Sequence, residues 1–274
     1  MHLMVRPIAG VIAALAFLAA AAAPALAAKC GNTSAGFQRW VDDFKREAAA
    51  NGIRQSTIRA TLDNVSYATK TIHLDRNQRS FKMSLETFMQ KRGANAIVAK
   101  GKRIKRQQSR LFDSIERRYG VPPGVLLAIW GMETGFGGYL GNQDAISALS
   151  TLAYDCRRSA FFKNELYAAL KIIQKGHLSR GEMRGAGHGE LGQTQFLPSN
   201  YWKYAVDFDG NGRADLIRSR PDALASTANF LKGHGWRPGA GYQPGQPNFA
   251  AIQGWNAAGV YQKAIAIIAA RIDG

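Results

Sequence analysis

Residues 119–137 read "YGVPPGVLLAIWGMETGFG". Pro122 and Pro123 suit a helix's first turn, where a missing N–H costs nothing. Val125, Leu126, Leu127, Ala128, Ile129, Trp130 and Met132 then place apolar groups on every side, the pattern of a helix buried all round. Thr134-Gly135 ends it, since glycine readily takes the left-handed conformation that closes a helix. One carboxylate, Glu133, is therefore set in the last turn of the most apolar helix in the chain. There the negative end of the helix dipole and the apolar surroundings both oppose ionisation, which is how a glutamate is made a general acid near neutral pH. From context alone Glu133 is either such an acid or a core glutamate paired with an arginine.

Working outward, further helices flank this one. Apolar residues recur at three- and four-residue spacing in Phe37, Trp40, Val41, Phe44 and Ala48, in Phe81, Leu85, Phe88 and Met89, and in Ile104, Leu111, Phe112, Ile115 and Tyr119. Each set predicts an amphipathic helix. More helices are expected at about 145–154, 159–175, 198–206, 221–232 and 259–271, and convincing period-two alternation is absent. The chain reads as mainly α. Two glycine-rich breaks, 181–192 and 233–245, are the kind that let backbone approach a ligand.

The chain has 274 residues, 46% hydrophobic and 20% charged, which excludes a disordered chain and allows one sizeable core or two small ones. Its first residues stand apart: Arg6, an apolar run from Ile8 to Ala23, then Pro24 and Ala25-Leu26-Ala27 make 1–27 a cleavable export signal. An uncleaved anchor is the rival reading, disfavoured because the run is shorter than the ~20 residues a span needs. Lys29 precedes Cys30 where lipid modification wants a small residue, so no lipid anchor is expected. In an oxidising compartment Cys30 and Cys156 can pair; the alternative is two unrelated thiols. With 36 Lys plus Arg against 19 Asp plus Glu, the net charge of +17 favours a polyanionic partner, and export makes an acidic envelope more reasonable than nucleic acid. The densest basic run, 100–110, lacks aromatics that stack bases and reads as a solvated helix face.

From Phe37 through Tyr261 the chain resembles the membrane-bound lytic transglycosylase B family. The resemblance is carried by "FQRWVDDFKREAAANGI", "LDRNQRSF", the opening motif, "ALSTLAYDCRRSAFF", "LGQTQFLPSNYWKYAVDFDGNG", "TANFLKGHGW" and "GWNAAGVY", in family order. It implies a lysozyme-like helical catalytic core over 28–274, with additional N-terminal helices at about 33–120 and an EF-hand-like loop. It implies periplasmic cleavage of the MurNAc-GlcNAc bond without water to 1,6-anhydroMurNAc, with Glu133 as sole acid and base. Most glycosidases need a second carboxylate; the family is thought to use the substrate's own N-acetyl group instead. Gln195 and Gly192 match the sugar-binding "GQTQF" motif, and Trp255, Asn256 and Tyr261 match a segment whose aromatics line the cleft. The partner implied is the peptidoglycan glycan strand, with other cell-wall enzymes as candidates, no nucleic acid, and a monomer.

The chain departs from the family just before "GQTQF", where Ala186 replaces a serine and His188 and Glu190 are added. Glu190 either raises the pKa of Glu133 or faces solvent, and solvent is the expectation. A calcium site is expected at 207–215, "DFDGNGRAD": Asp207, Asp209, Asn211, the Arg213 carbonyl and Asp215 fall on EF-hand ligand positions, with Gly212 at the sharp turn. Arg218 stands where the bidentate glutamate belongs, and the family's lengthened loop makes Asp222 its counterpart. The ion would be structural, with no cofactor for catalysis; the alternative is an Asp/Asn/Gly turn without an ion. Two other function classes stay open, an inactive peptidoglycan-binding protein and an exported nucleic-acid-binding protein.

Overall fold

The computed structural model describes residues 28–77 and 83–274, so the export signal expected at 1–27, and Phe81, lie outside the described residues. Thirteen α-helices and one short antiparallel strand pair make up the regular structure among those described. The mainly α expectation holds.

The N-terminal part begins with α1 (Phe37–Ala50), whose apolar stripe Phe37, Trp40, Val41, Phe44 and Ala48 is buried as its spacing requires. Trp40 and Phe44 stack at 5.1 Å between ring centroids. Helices α2 (Gln55–Leu62), α3 (Thr69–Arg76) and α4 (Leu85–Lys91) follow, the last capped by the Ser84 side chain on the Thr87 amide. The next stripe does not form a single helix. It splits into α5 (Ala94–Gln107) and α6 (Ser109–Tyr119) at Gln108, because α5 packs on the buried central helix and the C-terminal helix while α6 turns toward a different neighbour, residues 220–233. The basic residues of 100–110 are mostly at the surface, as a solvated face demands.

The buried helix α7 (Pro123–Thr134) starts at the predicted proline and stops at Gly135, which has φ of +60°. Every residue in it is buried except Glu133, which is partly open. Each fully buried leucine or isoleucine here contributes roughly 2 kcal/mol of apolar burial, so the helix is a rigid mount. Strand β1 (Gln143–Asp144) leads into α8 (Ala145–Tyr154), whose N-terminus is capped by the Asp144 carboxylate. Helix α9 (Ser159–Lys175) and strand β2 (Arg184–Gly185), paired with β1, come next. The chain finishes with α10 (Pro198–Tyr204), α11 (Arg220–Gly233), α12 (Phe249–Trp255) and α13 (Gly259–Asp273). Helix α10 stops two residues before the expected end, since Ala205 is extended. Helix α7 packs chiefly on α13 and α5.

Cys30 and Cys156 form a disulfide with 5.0 Å between Cα atoms, fastening the start of the described chain to the turn after α8. The Gly31 amide adds a hydrogen bond to the Tyr154 carbonyl, 2.9 Å. Among the described residues no helix is long and apolar enough to cross a membrane.

Candidate active site

Glu133 projects from the end of α7 into a cavity of about 320 Å³ that it shares with Glu190, Gln195, Asn200, Trp255 and Asn256. Two donors hold it. The indole N–H of Trp255, at the end of α12, donates to Glu133 Oε1 at 3.1 Å, and the Tyr261 hydroxyl, in the first turn of α13, donates to the same oxygen at 2.8 Å. Phe196 and Phe230 fix the indole by edge contacts at 5.3 and 5.1 Å. Burial pushes the Glu133 carboxyl from its ordinary 4.5 to about 7; the hydrogen bonds from Tyr261 and Trp255 and the Arg92 charge restrain the rise, and the Glu190 charge adds to it. Burial and the neighbouring Glu133 push the Tyr261 phenol far above its ordinary value, so it remains a donor.

Such an arrangement supplies a carboxylic acid that still carries its proton near neutrality, in a polar pocket large enough for part of a sugar. Trp255 and Asn256 line the cavity as expected. Tyr261 is buried, its ring packed beside Phe88 and Arg92, and it reaches the acid through its hydroxyl without lining the cavity, which corrects the expectation that it lines the cleft.

Gln195 lines the cavity with φ of +54°, a left-handed conformation rare outside glycine. Its amide nitrogen donates to the carbonyls of Gly192, 2.8 Å, and Leu140, 3.2 Å, which leaves its oxygen as the atom for a ligand. The motif is locked to α7 by Thr134, whose hydroxyl donates to the Gln193 carbonyl at 2.6 Å. Gly192 does not line the cavity. With φ of +76°, a side chain there would put its Cβ 2.5 Å from the Leu216 carbonyl oxygen, so its close approach is to backbone and not to a ligand.

Glu190 also departs from expectation. It faces the cavity and not bulk solvent, because the His188 amide donates to its Oε2 at 3.0 Å and turns the carboxylate inward. Asn200 was not foreseen, although it sits inside the quoted "LPSNYW" motif, in the first turn of α10.

The acidic loop gathers the carboxylates of Asp207, Asp209 and Asp222, whose ligand oxygens lie within 4.8 Å of one another. Asp207 accepts the amides of Gly210, Asn211 and Gly212 at 2.8, 3.0 and 2.7 Å, so the loop winds tightly about this carboxylate. Buried Asp222 accepts the amides of Phe208 and Asp215, and burial with the Asp209 charge still raises its pKa. A cation there would relieve that. Asp215 is not in the cluster: its carboxylate caps the Ile217 and Arg218 amides, both 3.0 Å, and pairs with the Arg218 guanidinium at 3.1 Å. The Asn211 side-chain oxygen accepts the Arg213 amide at 3.0 Å, and the Arg213 guanidinium turns to the His177 carbonyl, 2.9 Å. The loop's exit supports the sugar motif, since the Gln193 amide donates to the Leu216 carbonyl at 2.8 Å.

The profile of a family described as "Transglycosylase SLT domain" matches residues 36–246. The membrane-bound lytic murein transglycosylase B of Escherichia coli K12 is 38% identical over 138 residues, which is 47% of this chain but only 38% of the length of that protein. SltB3 from Pseudomonas aeruginosa, solved in complex with NAG-anhNAM-pentapeptide, superposes with a TM-score of 0.81 at 30% identity, covering 87% of this chain and 80% of that one. Slt35, a lytic transglycosylase of E. coli solved in complex with calcium, shares the fold with a TM-score of 0.74 at 24% identity, over 90% and 96% of the two chains.

Proposed function

The chain belongs to the transglycosylase SLT domain family, and we propose that it is a lytic transglycosylase that cleaves the MurNAc-GlcNAc bond of peptidoglycan without water, giving 1,6-anhydroMurNAc ends. The observation that carries this is the carboxyl of Glu133, placed at the edge of a polar cavity, held by Trp255 and Tyr261 and raised by burial to about 7. Glu133 gives its proton to the glycosidic oxygen as the bond to C1 breaks. The resulting carboxylate then takes the proton of the muramyl 6-hydroxyl as that oxygen attacks C1, and the acid is regenerated. The oxygen of Gln195 and the side chains of Asn200 and Asn256 orient the sugar.

The site is a catalytic region running from about residue 28 to the end, working as a monomer on glycan strands in the periplasm after removal of 1–27. Support for that location comes from the apolar leader and from the disulfide, which an oxidising compartment favours. The acidic loop takes a structural calcium through Asp207, Asp209 and Asp222, the chemistry of hard oxygen donors. Its role is to hold the loop whose exit supports Gln193, not to take part in bond cleavage.

Digestion of purified sacculi tests the reading. Release of anhydromuropeptides by the wild type, lost in Glu133→Gln, is the expected result. Binding to sacculi without release would mean an inactive wall-binding protein, and muropeptides with reducing ends alone would mean a hydrolase.

A further inference from the structure

We infer that Glu190, held by His188, is a second cleft carboxylate that contacts the glycan beside Glu133 and stabilises the positive charge developing at C1. The inference deepens the transglycosylase reading and rests on it. It starts from backbone. Residues 185–191 form a tight turn in which the Ala186 amide donates to the Glu190 carbonyl at 3.1 Å and Gly185 bridges Leu191. A Cβ on Gly185 would fall 1.8 Å from the Glu190 carbonyl oxygen, so the two segments touch and the Cα of Glu190 has no freedom to wander.

The side chain is held as firmly. Its Oε2 accepts the His188 amide at 3.0 Å, and His188 Nδ1 lies 3.5 Å from its Oε1. On the other side of the imidazole, Nε2 lies 3.8 Å from Asp75 Oδ1. Asp75 is buried and clasped by the guanidinium groups of Arg157 and Arg158. A carboxylate backed by an imidazole, itself backed by a buried and paired carboxylate, is a supported constellation. It opens on the same cavity as Glu133.

The two glutamates are driven in opposite directions. Burial raises Glu133 to about 7; burial opposes ionisation of Glu190 as well, but the hydrogen bond and charge of His188 outweigh it and hold Glu190 below its ordinary value. Carboxyl groups pushed apart in this way take different roles in one site. When Glu133 protonates the glycosidic oxygen, the C1–O electrons leave with that oxygen and C1 becomes cationic. The 6-hydroxyl then attacks C1 and returns its proton to Glu133. Glu190 is unprotonated throughout and forms no bond; its charge opposes the cation in a confined, low-dielectric pocket, where preorganised charge is most effective.

Sacculus digestion with Glu190→Gln and Glu133→Gln, measured from pH 4 to pH 9, tests it. Removing one preorganised group commonly costs about 10²-fold, and a loss of about 10- to 100-fold in kcat is expected for Glu190→Gln. The alkaline limb of kcat/KM should also move to lower pH, because the groups facing Glu133 are Tyr261, Trp255, Arg92 and Glu190, and only the last opposes its ionisation. A glutamate that only sits beside Glu133 would shift that limb by its charge but leave kcat on the plateau below the limb unchanged, so the plateau loss is the reading that decides. If Glu133→Gln is inactive while the plateau kcat of Glu190→Gln stays within about twofold of wild type, against the ~10²-fold usual for such a group, the inference is wrong wherever the limb lies. Activity persisting in Glu133→Gln would instead overturn Glu133 as the acid, and wild-type digestion that gives no anhydromuropeptides would overturn the transglycosylase reading on which the inference rests. Should Glu190→Gln not fold, His188→Gln serves: loss of the ring lets Glu190 take up a proton more readily, so the acid limb moves to higher pH, and an unmoved acid limb overturns the inference.

Discussion

Replacing Glu133 by Gln should make the protein more stable as well as inactive, and the gain should depend on pH. In the folded chain the carboxyl titrates at about 7 instead of 4.5. The native state therefore holds this proton more tightly than the unfolded chain. That contribution is full below pH 4.5, is lost as pH rises from 4.5 to 7, and changes little beyond, where a buried carboxylate is simply disfavoured. A shift of about 2.5 units at ~1.4 kcal/mol per unit bounds the penalty at ~3 kcal/mol at pH 8, against ~1 kcal/mol at pH 5. Glutamine removes it while its amide oxygen still accepts the Trp255 and Tyr261 hydrogen bonds. At roughly 2–4 °C per kcal/mol for a chain of this size, the variant should melt up to roughly 10 °C above wild type at pH 8 and only a few degrees above it at pH 5. Thermal melts at the two pH values give the answer, and the same protein should lose ~10²- to 10⁴-fold in rate, the usual worth of a general acid. A variant no more stable than wild type at pH 8 would mean that Glu133 is not a strained, protonated acid.

Three further outcomes are expected. Tyr261→Phe removes a hydrogen bond that favours the Glu133 carboxylate, so the alkaline limb of kcat/KM should move to higher pH, and an unmoved limb would make the tyrosine mere packing. Cys30→Ser opens a bridge spanning 126 residues, for which chain entropy allows a loss of up to about 5 kcal/mol; chemical denaturation of the oxidised protein against the variant measures it. Calcium added to chelator-treated protein should raise Tm by linkage and leave kcat nearly unchanged, with the Tm effect abolished in Asp207→Ala; no heat in a calorimetric titration at millimolar calcium would reduce the loop to a turn.

Local features were the legible ones. The limits of α7 follow from Pro123 and Gly135, and the unusual position of Glu133 follows from the limits of α7. Helices α8 and α9 have the expected bounds because their apolar periods are uninterrupted. Most of what escaped depends on contacts far apart in sequence. The bend at Gln108 exists because α5 and α6 serve different neighbours, which no periodicity records. The hydrogen bonds from Trp255 and Tyr261 span 122 and 128 residues. Glu190 is the local exception: its partner His188 is only two residues away, but the turn that aims the carboxylate at the cavity is set by the folded 185–191 backbone. Gly192 announced a close approach, but the partner, Leu216, is visible only once the loop is folded.

Both hydrogen bonds to Glu133 end on one atom, Oε1. An oxygen that accepts from an indole and a phenol at once behaves as the carbonyl half of a carboxylic acid. The mobile proton is thereby assigned to Oε2. In the reaction proposed, departure and return of that proton share a single port, so the glycosidic oxygen must vacate it before the 6-hydroxyl can use it. The proposed reaction thereby takes its order of events from the inequivalence of the two oxygens: the leaving sugar withdraws first, and only then can the remaining ring swing its own hydroxymethyl arm into the place just emptied.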